Sequence, residues 1–420
     1  MEQIPSLKKI LFRYRMTTVI HMALIFLLIL FYVFSINRFI VQPYPQVTFH
    51  GIISLLSGIF LSYLFLRTKI KISHVLLKDH PGNRIGRFSK KRIIREIDDI
   101  LSEFSGREKP SIFIIQSKAL GPFTIDTLGL NSFNKLNAIY LPEYIFSIMT
   151  MEEVKAIILH ELGHFNRYIY PLNKFRFPYL LAMPFVPLYF TDVIPDFIFS
   201  FFYAAVLLGG FLLQGRILKT DNRPIEFLAD YFAAKRIGML PTINGLISAV
   251  RYGAMLEYIN KCILTEIKKN RKISLKYQGS IFEKILKKLP SAIVPETRLC
   301  KEVRRSMKSQ FSKNLPALPN ETVEKENRLI DNMLFLTTVS DDREMADWSK
   351  FDNIIKNNKI DEEEFPAFIE YLGKNRDKLL IKSANEDPFL IKLNASHPLV
   401  RDRILFLYKN REKLSLKSPQ

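Results

Sequence analysis

His160-Glu161-Leu-Gly-His164 is the stretch of this chain best suited to chemistry. On a helix, residues four apart lie on one face, so both imidazoles can reach one cation. Glu161, beside the first histidine, can lean over the same ion and take a proton from water there. That spacing points to metal-assisted hydrolysis. The alternative is an amphipathic helix whose histidines are solvated or satisfied inside a core. A catalytic cation needs three protein ligands and one open position, so a third ligand decides between the two.

Asp221–Gly238 can supply it. This segment reads as a helix capped by Asn222, with Pro224 in its first turn, Lys235 and Arg236 in its last, and Gly238 ending it. Glu226 and Asp230 project from one face. Glu226 is the natural third ligand, giving a His-His-Glu site, and Asp230 can accept from a ligand imidazole and fix its tautomer. The competing reading is two solvent-facing acids on an ordinary helix.

The elements that position these residues follow from local pattern. Thr150 can cap the H-E-x-x-H helix, Glu153 completes a capping box, and Val154, Ile157 and Ile158 recur at helical spacing. Upstream, Lys91 to Phe104 is an amphipathic helix. Ser111–Ile115, Pro122–Asp126 and Ala138–Leu141 are short strand candidates. Their sheet is either purely structural or offers an edge onto which an extended peptide can add.

Apolar residues are clumped. Met16–Ile36 is an uncharged run of 21 residues, long enough to span a membrane, and Val47–Leu66, with Ser54, Gly58 and Ser62 at small-residue spacing, is a second. Pro178–Ile194 and Phe197–Leu213, 17 residues each, read as a second hairpin, with two buried core helices as the alternative. Lys8, Lys9, Arg13 and Arg15 precede the first span, and a dense basic stretch from Arg67 to Arg95 follows the second. By the positive-inside rule this puts the N-terminus and everything after Leu66 in the cytoplasm. The net charge of +20 is better explained by anionic headgroups than by nucleic acid, since the basic stretch lacks interleaved aromatics. Cys262 and Cys300 form no disulfide framework and suit a reducing compartment.

Taken together, these features resemble the membrane gluzincins of the HtpX and CaaX-prenyl endopeptidase family. The likeness covers roughly Met16 to Asn260 and Ala395 to Ile404, in order as well as motif, ending in His397-Pro398 with Arg403 beyond. It implies zinc on His160, His164 and Glu226, Glu161 as general base and acid, and Asp230 supporting the site. It further implies His397 and Arg403 stabilising the oxyanion and holding the cleft together. The family's Asn-Ala pair on its substrate strand has its nearest counterparts here in Gly121-Pro122 and Asn137-Ala138.

The expected fold is mainly α with a small β-sheet, a zincin-like α+β catalytic domain, plus two transmembrane helical hairpins. The expected parts are an N-terminal membrane hairpin (1–66), connector, sheet and H-E-x-x-H helix (67–176), a second membrane hairpin (177–214), the Glu-ligand helix (215–260), a Lys-rich helical segment (261–345) and a part closing the cleft (346–420). The expected protein is a multi-pass, cytoplasm-facing endopeptidase with one Zn2+ per chain, cutting unfolded or membrane polypeptides in quality control. Its partners are those substrates and the lipid bilayer, with no nucleic acid. The alternatives are trimming of prenylated C-termini and a non-catalytic membrane scaffold or signal transducer.

Overall fold

In the computed structural model of this chain, the described residues are 5–41, 74–104, 109–115, 123–126, 137–164, 224–269, 277–288, 301–306, 320–341, 359–374 and 400–415, with single positions at 56, 205, 274, 308 and 398. They are mostly helical, with one four-stranded sheet and one two-stranded sheet.

The larger sheet has the order β1-β4-β6-β5, with β1 His74–Leu76, β4 Ser111–Ile115, β5 Phe123–Asp126 and β6 Asn137–Pro142. β4 and β6 run parallel, while β1 and β5 pair antiparallel with them at the two edges. Side chains alternate across it. Ile112, Ile114, Ile139 and Leu141 enter the main core, and Phe113, Ile115, Ala138 and Tyr140 form a smaller cluster on the other face. The strand expected at Pro122 begins at Phe123. Asn137-Ala138 falls on the interior strand β6, opposite Asp126 and Ile125, and Gly121-Pro122 lies outside the described residues.

A small hairpin, β2 Arg84–Ile85 with β3 Phe88–Ser89, turns at Gly86. Gly86 has φ +55° and its α-carbon faces the backbone of Phe146, so a side chain there would collide 2.4 Å from that carbonyl carbon. The hairpin leads into the amphipathic helix Lys90–Ser102, capped by Ser89, whose Oγ accepts from Arg92 N. Ile93, Ile97, Ile100 and Leu101 are its buried stripe.

The H-E-x-x-H helix, Met151–Gly163, is the centre of the core, and eleven of its thirteen residues are buried. Its capping box is formed as the sequence predicts. Thr150 Oγ1 accepts from Glu153 N at 3.3 Å, and Glu153 Oε2 accepts from Thr150 N at 2.9 Å. Against it pack the sheet, the helix over 224–237 and the long helix Met239–Lys269. Met239–Lys269 continues into a second core with Gln278–Lys288 and Asn320–Asp341, so the Lys-rich segment is largely helical where it is described.

The membrane expectation requires correction. Among the described residues no helix is long and apolar enough to cross a membrane. The expected two transmembrane hairpins, and with them a multi-pass integral membrane protein, are therefore not supported. The first candidate span is part of one continuous helix, Leu7–Val41. Its first turns belong to the main core, where Ile10 is 2% exposed and Leu7, Leu11 and Tyr14 pack beside it. Val47–Leu66 and residues 177–214 lie outside the described residues.

Candidate metal centre

The last turn of the H-E-x-x-H helix places three polar side chains inside an otherwise apolar core. Buried polar groups need partners, and the neighbouring elements provide them. The helix over 224–237 brings Glu226 and Asp230 into place. Gly163 makes this approach close: a Cβ there would lie 3.1 Å from Ala229 Cα and 3.3 Å from Ala229 Cβ. Gly238, with φ +99°, terminates the glutamate helix as expected, while Asn222 lies outside the described residues.

His160 Nε2 and His164 Nε2 are 2.9 Å apart. Glu226 Oε2 is 3.4 Å from the first and Oε1 is 3.3 Å from the second. Three ligand atoms, one from each residue, lie within 4.8 Å of one another. Donors held about 2.0–2.2 Å from a tetrahedral ion sit roughly 3.4 Å apart, so one small cation fits this set. His160, His164, Glu226 and Glu161 are all at most 8% exposed. The buried His160-His164-Glu226 group can therefore hold a metal ion.

Asp230 is fully buried and 2.9 Å from His160 Nδ1. With Nδ1–H donating to that carboxylate, the Nε2 lone pair faces the site. Arg403, from the helix Val400–Lys409, grips the same aspartate with two hydrogen bonds of 2.6 Å, from Nε to Oδ2 and from Nη2 to Oδ1. Its Nη1 lies 3.3 Å from Glu226 Oε2. Nη2 is also 3.4 Å from His160 Nδ1, which does not accept from it while donating to Asp230. Glu161 is near enough to help hold the guanidinium charged. Arg403 thus reaches the ligand set from behind and fixes two carboxylates. His397 lies outside the described residues.

The charges explain why the cluster suits a dication. Among the described residues, three acidic side chains, Glu161, Glu226 and Asp230, gather around the buried guanidinium of Arg403. Burial by itself would raise the Glu226 pKa, yet His164 and Arg403 hold it well below the usual carboxylate range. Burial opposes a charge on His160 as well, but Asp230 and Glu226 outweigh it and push its pKa up to about 10. In metal-free protein a proton on His160 therefore stands where a cation would. The folded value lies above the ordinary 6.5, so this stabilisation is complete below pH 6.5 and is lost as pH rises through about 10. The Tm of metal-free protein is expected to fall across that window, and metal affinity to rise by about tenfold per pH unit as proton competition fades. Thermal melts and metal titrations over the window check both.

Breaking the Arg403 pair is expected to be costly, because it strands buried carboxylates. Arg403→Ala should destabilise metal-free protein by about 3–5 kcal/mol in chemical denaturation. A loss under about 1 kcal/mol would show that water repairs the gap.

Three further contacts bring the C-terminal part to this centre, and none of them is legible in the sequence. Asn244, buried on Met239–Lys269, donates to Ile360 O and accepts from Ile360 N, both at 2.8 Å. Lys359 Nζ lies 2.7 Å from Glu153 Oε1, on the capping residue of the H-E-x-x-H helix. Phe227 and Phe406 rings, 5.0 Å apart, pack the glutamate helix against the one that carries Arg403. No family model, curated protein or solved structure matches this chain, so the site must be read from its own residues.

Proposed function

We propose that this protein is a zinc-dependent endopeptidase. The observation that carries the reading is the convergence of the buried side chains of His160, His164 and Glu226, with Glu161 on the same helical turn. Two imidazoles and a carboxylate are a donor set typical of catalytic zinc. When bound, the ion would supply Lewis acidity, polarising the scissile carbonyl and making water acidic enough to lose a proton near neutral pH.

The chain's own residues do the rest. Glu161 takes the proton from the attacking water and returns it to the leaving amine. Asp230 and Arg403 keep His160 and Glu226 in register, which makes Arg403 a positioning residue in this structure. Among the described residues β5 is an edge of the sheet and runs beside the H-E-x-x-H helix, the position from which an extended polypeptide can be taken by main-chain hydrogen bonds. That favours unfolded protein as substrate, as in HtpX-like quality control.

The test is cleavage of casein by purified protein, with metal analysis alongside. About one zinc per chain is expected, with activity abolished by a chelator and restored by zinc. Zinc-loaded protein that cuts neither casein nor a prenylated peptide would sink the proposal in favour of a non-catalytic role.

A further inference from the structure

The described C-terminal residues meet the H-E-x-x-H helix at both of its ends. Phe365 and Tyr408 rings, 5.8 Å apart, join the helix Phe365–Lys374 to the helix Val400–Lys409, and both helices enter the main core. From this pair Arg403 reaches the last turn of the metal helix, where Asp230 passes its grip on to His160. Lys359, at the start of the same part, reaches the first turn, where its Nζ lies 2.7 Å from Glu153 Oε1. Glu153 and His160 are seven residues apart, roughly 10 Å along the helix axis.

Two demands meet on Glu153. Its Oε2 accepts from Thr150 N to close the capping box, its Oε1 faces Lys359, and its side chain is 3% exposed. A carboxylate so enclosed needs both partners. Lys359 is in turn placed by its neighbour, since Asn244 holds both the N–H and the carbonyl of Ile360. Gly245, the next residue, brings the helix Met239–Lys269 against Glu153 O and Ile157. Packed helices and the sheet fix the flanks of the metal helix; its position along its own axis is what the two end contacts fix. We propose that Lys359 is a positioning residue for the metal centre, holding the H-E-x-x-H helix in axial register through Glu153 while Arg403 holds the opposite end. This rests on the metal site and not on peptidase chemistry. Sliding the helix moves both imidazoles against Glu226, which stands on another helix, and ligand distances tolerate only about 0.2 Å. Linkage is reciprocal, so a cation at the far end tightens the Lys359 end in turn.

Zinc affinity by chelator competition and the visible spectrum of the cobalt-loaded full chain test this. Lys359→Met is expected to weaken zinc binding by about 10–100-fold, the range for groups that orient a ligand, and to shift the cobalt spectrum. Lys359→Arg should restore both. Zinc should slow hydrogen exchange at the Ile360 amide in wild type and lose that effect in Lys359→Met. Val303→Ala, which opens a cavity in the second core, controls for lost stability and should leave affinity and spectrum unchanged. The proposal is overturned if Lys359→Met matches wild type in affinity and spectrum, or if Val303→Ala weakens zinc binding as much. Wild type that takes up no metal at all would overturn the site itself along with it.

Discussion

Glu161→Gln is expected to keep its zinc and lose its activity, with kcat for casein down by about 10²–10⁴-fold, the range a positioned acid–base group contributes. The substitution preserves size and hydrogen-bonding reach but removes the group that accepts the proton. Glu161 is not one of the three converging ligands, so metal content should stay near that of wild type. The helix around it is capped by Thr150 and Glu153 and packed on nearly every side, so no change in Tm beyond about 1 kcal/mol of stability is anticipated. Metal analysis and casein digestion on the same preparation separate the two roles. Wild-type turnover in this variant would remove the residue from the mechanism.

Glu226→Ala should have the opposite signature, with metal and activity lost together. Its carboxylate bridges the two imidazoles at 3.3–3.4 Å, and without it two nitrogens remain. The fall in zinc affinity should exceed the 10–100-fold typical of removing a residue that only supports a ligand. Asp230→Asn provides that comparison, because it touches His160 through Nδ1 rather than the cation. Competition against a chromogenic chelator ranks the three proteins. Equal affinity for wild type and Glu226→Ala would mean that the ion, if any, binds elsewhere.

Much of this centre was legible in the sequence because its parts are local. A capping box, a four-residue histidine spacing and a four-residue acid spacing each describe one helix, and each formed as read. Arg403 could be named only through a family likeness, since nothing around Val400–Lys409 announces a partner 173 residues away. The Asn244–Ile360 clamp joins residues 116 apart through a backbone that any residue type could present. Gly163 matters through the close approach of Ala229, a contact that no local spacing encodes. The two expected transmembrane hairpins rested on hydropathy, which registers how apolar a run is and not what its flanking turns pack against; the turns before the first run lie in a core beside Ile10.

The enclosure of the H-E-x-x-H helix also limits how this protein can be re-engineered. Within Met151–Gly163, Glu152 alone is exposed and Lys155 is half-buried, its ammonium 2.5 Å from Glu96. Randomising that helix to change selectivity would mostly create cavities and clashes. Variation is better placed outside that helix, and a fluorescent label is best attached at position 152.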